Sequence, residues 1–377
     1  MNLPNDARLL THFATLEDPR DERGKEHLLI DILTIAICAV ICGAESWTDI
    51  EEYGHAKFDW LKTFLALPNG IPSHDTVARV FARLEPEQMQ QCFLSWIAAI
   101  SRLTQGEIIP IDGKTVRGSY DTRNGKGAIH MVSAWASANR LVLGQHKVDE
   151  KSNEITAIPQ LLSVLSISGC IVTIDAMGCQ KEIAAAIIDQ GPDYVLALKE
   201  NQPSLFEDVQ WLFKQVESVQ FQALEQDVAR SVDKGHGRIE IRRCCTLSGS
   251  QLDYLVQKPH WKGLQTVAMV QSERRVGGKV SREQRYYLSS LGQDAAVMDA
   301  AIRTHWAIEN GLHWVLDISF AEDDCRIRKD HAPQNMSLLR QIALNLLGQD
   351  TSTKVGIKAK RKKAGWDDAY LVKILAQ

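Results

Sequence analysis

Short apolar runs and amphipathic segments make up the sequence from residue 107 to the end of QPSLFEDVQWLFKQV, and their order limits the possible folds more than any other feature. Three strand-like runs come first, and helices and strands then alternate; in order the segments are EIIPIDGKTV, AIHMVSAWAS, RLVLGQHKV, TAIPQLLSVL, GCIVTIDAMG, QKEIAAAIIDQG, DYVLALK and QPSLFEDVQWLFKQV. Consecutive strands followed by helix–strand alternation are typical of an α/β fold with a mixed sheet. We therefore predict an α/β domain over residues 101–350.

Residues 1–100 are predicted to form a separate, all-α domain. The run LLIDILTIAICAVICGAESWTDIEEY is too densely apolar for a surface helix, so it belongs in a core. A later helix, SHDTVARVFARL, begins after Ser73 as an N-cap and leaves Arg79 and Arg83 on its outer side. Two helices joined by a turn can read DNA, but this connection is longer than the usual three or four residues. DNA contact and plain helical packing therefore both remain open for this helix.

Residues from about 222 to 291 lose the helical period, which indicates a β-rich insertion in the α/β domain. Three runs in it are predicted strands, RIEIRRCCTL, LQTVAMVQSERRV and SREQRYYLSSL, with Gly277 and Gly278 forming a hairpin turn. One long helix is predicted after the insertion, over AAVMDAAIRTHWAIENGLHWVLDISF. Residues 351–377 are predicted to form a basic C-terminal tail.

The charge of the whole chain gives no case for nucleic acid, because 43 basic and 47 acidic residues leave a formal net charge of −4. The local charge is different. Residues 1–60 carry 5 basic and 12 acidic residues, whereas residues 113–147 carry 6 against 1 and residues 351–377 carry 7 against 2. Basic segments suit contacts with a phosphate backbone, although solvated surface charge explains each of them equally well.

Cysteine usage and hydropathy favour a reduced, cytoplasmic protein. None of the eight cysteines forms a CxxC pair, and most lie in apolar runs, where a free cysteine behaves as a small hydrophobic residue. The polar, acidic N-terminus does not read as a secretory signal. The apolar stretch Ile32–Ala44 has thirteen residues, whereas a membrane span needs about 20. We expect this stretch to be a buried helix.

Two aspartates share an unusual context. Asp112 ends the run Ile-Ile-Pro-Ile and precedes Gly113, and Asp175 ends the run Ile-Val-Thr-Ile and precedes Ala176. Ligands bind at the carboxyl ends of strands in α/β sheets, and a small following residue would let a bulky substrate approach. Two carboxylates on neighbouring strand ends suit Mg²⁺, which prefers oxygen ligands. The alternative is an ordinary pair of turns, since Asp and Gly commonly end strands.

A third acidic candidate lies on the long helix, where His305, Glu309, His313 and Asp317 recur every four residues and so stack along one side. Glu309 is placed at the margin between the core and solvent, where its carboxylate could reach a site shared with the two aspartates. A zinc site of His, Glu and His is the rival interpretation, but a repeat of four drifts around a helix and lacks the HExxH arrangement. Simple i, i+4 surface pairs are the third interpretation.

Taken together, the motifs resemble those of a known family. The segments that carry the resemblance are IPIDGKTVRGSYD, DEKSNEITAIPQLL, TIDAMGCQKEIA, YVLALKENQ, YYLSS, HWAIENGLHWVLD and EDDCRIR. They resemble the H-repeat-associated transposases, which belong to the bacterial DDE insertion-sequence transposases. The resemblance extends over nearly the whole chain.

This resemblance implies a ribonuclease H-like fold whose catalytic and metal-binding triad is Asp112, Asp175 and Glu309. It implies two Mg²⁺ or Mn²⁺ ions per site, cleavage of DNA at terminal inverted repeats and transfer of the ends to target DNA. A homodimer is expected, because two ends must be bridged. We also expect basic side chains to contact DNA, namely Lys114, Arg117, Arg79, Arg83, Lys360, Arg361, Lys362 and Lys363.

The chain departs from the broader group in one respect. That group carries Tyr, Arg and Lys around the glutamate, and here Ile302, His305 and Leu316 stand at those positions. Phosphate contacts made by those three side chains are therefore not carried over. Two alternatives stay open: a ribonuclease H-like DNA nuclease without strand transfer, and a catalytically inactive DNA-binding remnant of a mobile element.

Overall fold

The N-terminal part of the protein is helical in the computed structural model, which describes residues 8–149, 152–217, 226–235 and 237–377. The predicted starts of the helical domain and of the β-rich insertion, at residues 1 and 222, lie outside the described residues. The helices of this part are α1 (Arg8–Phe13), α2 (Leu29–Cys42), α3 (Trp47–Ala56), α4 (Phe58–Leu61), α5 (His74–Arg83) and α6 (Pro86–Ile100).

The helix α2 forms the centre of this helical part, and its residues 31–41 are all buried. This confirms the buried helix predicted from the apolar stretch. The helix α5 begins as predicted, because the Ser73 side chain accepts a hydrogen bond from the N–H of Thr76. Among the described helices, none is by itself long and apolar enough to cross a membrane; α2 and α3 meet that test only as a pair, bent by 96°.

Nine strands form a single sheet in the order β3-β2-β1-β4-β5-β9-β8-β7-β6. The strands are β1 (Ile108–Thr115), β2 (His130–Ala136), β3 (Leu141–Val148), β4 (Ile171–Ile174), β5 (Asp193–Leu198), β6 (Gln226–Gly235), β7 (Arg238–Ser248), β8 (Thr266–Val276) and β9 (Lys279–Ser289). In the first half, β1, β4 and β5 run parallel, while β2 and β3 are antiparallel to their neighbours. This mixed sheet agrees with the ribonuclease H-like α/β fold that the resemblance implied.

The second half of the sheet is formed by the strands that follow β5 in the chain. The predicted β-rich insertion contains the strands β6–β9, and because β9 pairs antiparallel with β5, these strands extend the sheet of the α/β domain. The strand β6 was not predicted, since most of its residues are exposed and its sequence lacks a regular apolar alternation. The predicted turn is confirmed: Gly277 and Gly278 both have positive φ, which β-hairpin turns between strands require.

Helices cover both faces of the sheet. They are α7 (Glu154–Ser163), α8 (Lys181–Gln190), α9 (Pro203–Glu217), α10 (Ala295–His305), α11 (Trp314–Phe320) and α12 (Ala332–Gln349). Ile171 on β4 and Val195 on β5 pack against α10. Their neighbours in the sequence, Val172 and Tyr194, belong to the main core on the other face of the sheet. Successive strand residues point to opposite faces, so this packing defines which residues face α10.

The predicted long helix is interrupted. A π turn, Glu309–His313, separates α10 from α11. Single π turns within α-helices are frequent at functional sites, because the extra residue redirects the side chains that follow.

The C-terminal segment is not a free tail. Its two helices, α13 (Ile357–Trp366) and α14 (Asp368–Leu375), bury Ala364, Leu371 and Ile374 against the rest of the protein. Two of the four residues expected to contact DNA here, Lys360 and Arg361, are 6% and 4% exposed.

The donors of these two side chains are occupied by main-chain carbonyls. The Lys360 ammonium donates to the carbonyls of Leu347 and Asp350. The Arg361 guanidinium donates to the carbonyls of Val40, Ala44 and Ser319. The expectation that Lys360 and Arg361 bind phosphates is therefore wrong for this fold.

Candidate active site

Asp112 and Asp175 lie side by side where the pairing of β1 with β4 ends: Asp175 directly follows β4 as expected, whereas Asp112 lies inside β1, which continues to Thr115 along β2. The strands run parallel with Ile111 opposite Ile174, so the aspartates are the next residue on each strand. Neighbouring strands are about 4.8 Å apart. Both aspartates point to the α10 face, because they alternate with Ile111 and Ile174 of the main core. Their side chains line one cavity of about 350 Å³.

The turn after β4 orients the second carboxylate. Oδ1 of Asp175 accepts hydrogen bonds from the N–H of Met177 at 3.0 Å and of Gly178 at 3.4 Å. The side-chain amide of Asn201 donates to the carbonyl of Ala176 at 2.6 Å and fixes the same turn. One oxygen of Asp175 is thus tied to the backbone.

The space beside Gly113 is occupied by protein side chains. A Cβ atom at this position would collide with the Glu154 carboxylate and the His130 ring. Those two side chains are paired, with 2.6 Å between His130 Nε2 and Glu154 Oε1, and Thr115 Oγ1 lies 2.8 Å from His130 Nδ1. The glycine therefore makes room for an internal hydrogen-bonded pair on the opposite face from Asp112, and not for substrate as predicted.

Glu309 reaches the cavity from the π turn, and its neighbours at intervals of four contact the strand ends. His305 Nδ1 lies 3.0 Å from Thr173 Oγ1 on β4. His313 Nδ1 lies 3.5 Å from Asp112 Oδ2 on β1. Hydrogen bonds in a π turn run from i to i+5, and the wider turn offsets the drift of a four-residue repeat. His305, Glu309 and His313 thus all stay on the side of the helical segment that faces the sheet, and Glu309 is exposed to the cavity.

The cavity concentrates negative charge. Burial, together with the negative charges of Glu154, Asp175 and Glu309, raises the pKa of Asp112 from 3.8 to about 7, although the N–H of Gly113 opposes this shift. The carboxylates therefore repel one another in the absence of a cation.

The two histidines beside the carboxylates are neutral at pH 7. Burial lowers the pKa of His313 to about 4, and the positive charge of Lys114 contributes. Burial also lowers the pKa of His305, although the charge of Asp175 opposes the shift. Neither ring therefore supplies a compensating positive charge to the cavity at neutral pH.

Family models match most of the chain. One described as "Transposase DDE domain" matches residues 103–346. The chain belongs to the DDE transposase family. A second model, described as "DDE_Tnp_1-associated", matches residues 10–97.

Relatives of similar length support the same assignment. The H repeat-associated protein YhhI of Escherichia coli (strain K12) is 42% identical over 375 residues, covering 98% of both chains. YncI of Escherichia coli O157:H7 is 42% identical over 372 residues, covering 98% of this chain and 94% of its own. The predicted resemblance to the H-repeat-associated group is confirmed. Among solved structures, a piggyBac transposase synaptic complex with hairpin DNA superposes with a TM-score of 0.42 at 10% identity, covering 96% of this chain and 74% of its own.

The donor chemistry of the transposase cavity suits a divalent cation. Carboxylate oxygens are the ligands that Mg²⁺ prefers, and a cation would relieve the repulsion that, after burial, contributes to the raised pKa of Asp112. The triad is not drawn into a closed ligand cluster, however. Across the described ranges, no group of three or more His, Cys, Asp or Glu side chains is arranged to hold a metal ion.

The basic residues expected to contact DNA fall into two groups. Arg79, Arg83 and Arg117 are exposed. Lys114 is not available, since only 13% of its side chain is exposed and its ammonium lies within 3.2 Å of three carboxylates. The expectation of a phosphate contact by Lys114 is wrong for this fold. At the C-terminus, Lys362 is exposed and carries no such internal bonds.

Two features of the transposase site escaped sequence analysis. One is the pair of His130 and Glu154, although Glu154 lies in a motif of the resemblance. The other is the ion pair between Lys114 and Asp317, which the periods of strand and helix could have indicated. Lys114 is two residues after Asp112, on the same face of β1, and Asp317 is eight residues after Glu309.

Proposed function

We propose that this transposase cleaves DNA at the ends of an insertion sequence and joins those ends to target DNA. The observation that carries the proposal is the convergence of Asp112, Asp175 and Glu309 on one cavity. They come from β1, β4 and the π turn, which are far apart in the chain. Membership of the DDE transposase family supports the class of reaction.

The three carboxylates are proposed to hold two Mg²⁺ or Mn²⁺ ions. Divalent ions bound there would activate the attacking water or 3′-hydroxyl and stabilise the leaving oxygen of the phosphodiester. The residues of the chain orient these groups. The turn after β4 directs the free oxygen of Asp175 into the cavity, and neutral His313 stands beside Asp112 without adding charge. No protein nucleophile is required.

A line of basic side chains is proposed as the path of the DNA. Arg83, Lys126 and Lys147 line one surface groove, and Lys147 also lines the adjoining groove that reaches Met177. Met177 lies two residues after Asp175, so the proposed path runs from the helical part toward the turn that follows β4. Arg79, Arg117 and the exposed C-terminal lysines are further proposed contacts, because phosphates bind basic side chains irrespective of sequence.

The test is cleavage of a DNA fragment that carries the ends flanking this gene. The unaltered protein and Asp175→Ala are compared with Mg²⁺ and with EDTA, and Asp59→Ala serves as a matched control, since Asp59 is an exposed aspartate in the helical part. We expect Mg²⁺-dependent nicks at the element boundary, strand-transfer products on paired ends, and loss of both in Asp175→Ala alone.

Other results would favour other functions. Cutting that ignores the element ends would indicate a nuclease. Binding without cleavage by the folded, unaltered protein would indicate an inactive remnant. A homodimer that bridges two ends is part of the proposal, and sedimentation of the protein with paired ends tests it: a single protomer on each paired-end complex would contradict it.

A further inference from the structure

The buried ammonium of Lys114 lies next to the proposed metal site. Lys114 and Asp112 are two residues apart on β1, so their side chains point to the same face. The Lys114 Nζ atom lies 2.7 Å from Asp317 Oδ1, 3.0 Å from Asp323 Oδ1 and 3.2 Å from Glu322 Oε2. One cation is thus shared by three carboxylates.

The first of these carboxylates belongs to the same column as Glu309. Asp317 lies on α11 in contact with Lys114, and His313, one step nearer the π turn, lies 3.5 Å from Asp112. Asp112 and Lys114 on β1 therefore face His313 and Asp317 on the helical segment formed by the π turn and α11. Glu309 lies four residues before His313 in the same segment. The position of Glu309 relative to Asp112 is set by how the helical segment is seated against β1.

The other carboxylates attach Lys114 to different elements. Asp323 lies in the loop after α11 and also contacts the exposed Arg117. Glu322 is buried, and its carboxylate lies 3.6 Å from Arg340 Nη1 on α12. Only Asp317 connects Lys114 directly to the helical segment that carries Glu309.

A buried ion pair is a poor choice for stability alone. Desolvation of the charges offsets much of their attraction, and apolar side chains of similar volume often stabilise a fold equally well. An ion pair between two specific side chains, such as Lys114 and Asp317 at 2.7 Å, can instead fix the register between two elements. Groups that orient metal ligands typically change metal affinity by 10–100-fold when removed.

We propose that the ion pair between Lys114 and Asp317 positions Glu309 against Asp112 for divalent-cation binding. Lys114 is then a positioning residue and not a DNA contact. The inference rests on the proposed function, since it takes the triad to be the metal site.

Asp317 and Asp323 provide a matched pair of variants. Both carboxylates bind the same ammonium, their side chains are 32% and 28% exposed, and Asp→Asn removes one negative charge in each case. They differ in that Asp317 is on the helical segment with Glu309. The measurement is the Mn²⁺ dissociation constant, by electron paramagnetic resonance or calorimetry, with the thermal unfolding midpoint of each metal-free protein.

We expect Asp317→Asn to weaken Mn²⁺ binding by about tenfold or more and Asp323→Asn by about twofold or less, with similar unfolding midpoints. Lys114→Met should weaken Mn²⁺ binding as Asp317→Asn does, whereas Lys114→Arg should keep most of the Mn²⁺ affinity. If Asp317→Asn does not fold, these two Lys114 variants test the inference in its place. Equal losses in Asp317→Asn and Asp323→Asn would show a charge effect without positioning and would overturn the inference, as would no loss in either.

The unaltered protein separates this inference from the proposed function. Mn²⁺ binding that disappears in Asp175→Ala supports the triad as the metal site, whatever the Asp317 variant does. No Mn²⁺ binding by the unaltered protein would overturn the proposed function and, with it, the role given to Lys114.

Discussion

Charged side chains are removed from water in two regions of the molecule. One is the cavity lined by Asp112, Asp175 and Glu309, and the other is the junction where Arg361 on α13 contacts the ends of α2 and α11. In the cavity, three carboxylates line the same space, and burial, together with the neighbouring negative charges, raises the pKa of Asp112 to about 7. At the junction, Arg361 donates to carbonyls at the ends of α2 and α11 and stacks on Phe320, with 4.2 Å from its guanidinium to the ring centre.

The two regions therefore differ in how well their charges are satisfied. Main-chain carbonyls at helix ends have no intrahelical partner, so a buried guanidinium that binds them stabilises three elements at once. Like charges in the cavity destabilise the fold until something binds them. Unfavourable charge thus lies at the proposed metal site, whereas favourable charge holds the C-terminal helices to the rest of the chain.

The largest expected effect is on activity and comes from the cavity. Glu309→Gln should lower cleavage of element ends by roughly a thousandfold or more, because the metal ligands supply several kcal/mol of transition-state stabilisation. Its free energy of unfolding should not decrease, since one of the repelling charges is lost. Cleavage assays and urea denaturation of the same preparation check both statements. A less stable Glu309→Gln protein would remove the distinction between the two regions.

The next effect concerns pH and the metal-free fold. The pKa of Asp112 is near 7 when folded and 3.8 when unfolded, so its contribution to stability is complete below about pH 4 and is lost as pH rises through 7. Between pH 5 and pH 8 this loss should be up to about 3 kcal/mol. It is measured as the difference between the unaltered protein and Asp112→Asn, in EDTA, by chemical denaturation. A pH dependence that is the same in both proteins would contradict the shift.

An effect of similar size is expected at the junction, on stability and not on chemistry. Arg361→Ala should lower the free energy of unfolding by about 3 kcal/mol, because it removes the charged donor that the carbonyls of Val40, Ala44 and Ser319 share. Arg361→Lys should recover part of the loss. The Mn²⁺ affinity of the folded fraction should stay within about twofold of the unaltered protein, unlike that of Asp317→Asn. A large change in affinity would connect the two regions.

The smallest effect is expected next to Arg361, at its exposed neighbour. Lys362→Ala should leave the unfolding midpoint unchanged and reduce the slope of log affinity for DNA against log salt by about one at most. Arg83→Ala, in the surface groove that Lys126 and Lys147 also line, is the comparison variant and should reduce the slope by about one. An unchanged slope for Lys362→Ala would leave the C-terminal helices with a purely structural role.

Local patterns in the sequence were enough to predict most of the elements. The apolar runs that end at Asp112 and Asp175 are strands, the Ser73 cap begins a helix, and the repeat of four from His305 to Asp317 faces one side. These features depend on neighbouring residues, and periodicity records them directly. The roles of the triad itself came from the family resemblance and remain to be tested.

Tertiary structure alone decided what happens to the basic residues. Lys114 and Arg117 are three residues apart in a basic segment, yet their side chains are 13% and 81% exposed. The difference depends on residues about 200 positions further along the chain: Asp317, Glu322 and Asp323 all contact Lys114, and of these three only Asp323 contacts Arg117. In the same way, Lys360 and Arg361 are buried because carbonyls of distant helices need donors, while Lys362 points to solvent. Charge in a sequence shows that a side chain can bind an anion, but only the assembled fold determines whether that anion is a phosphate, a carboxylate or a carbonyl oxygen.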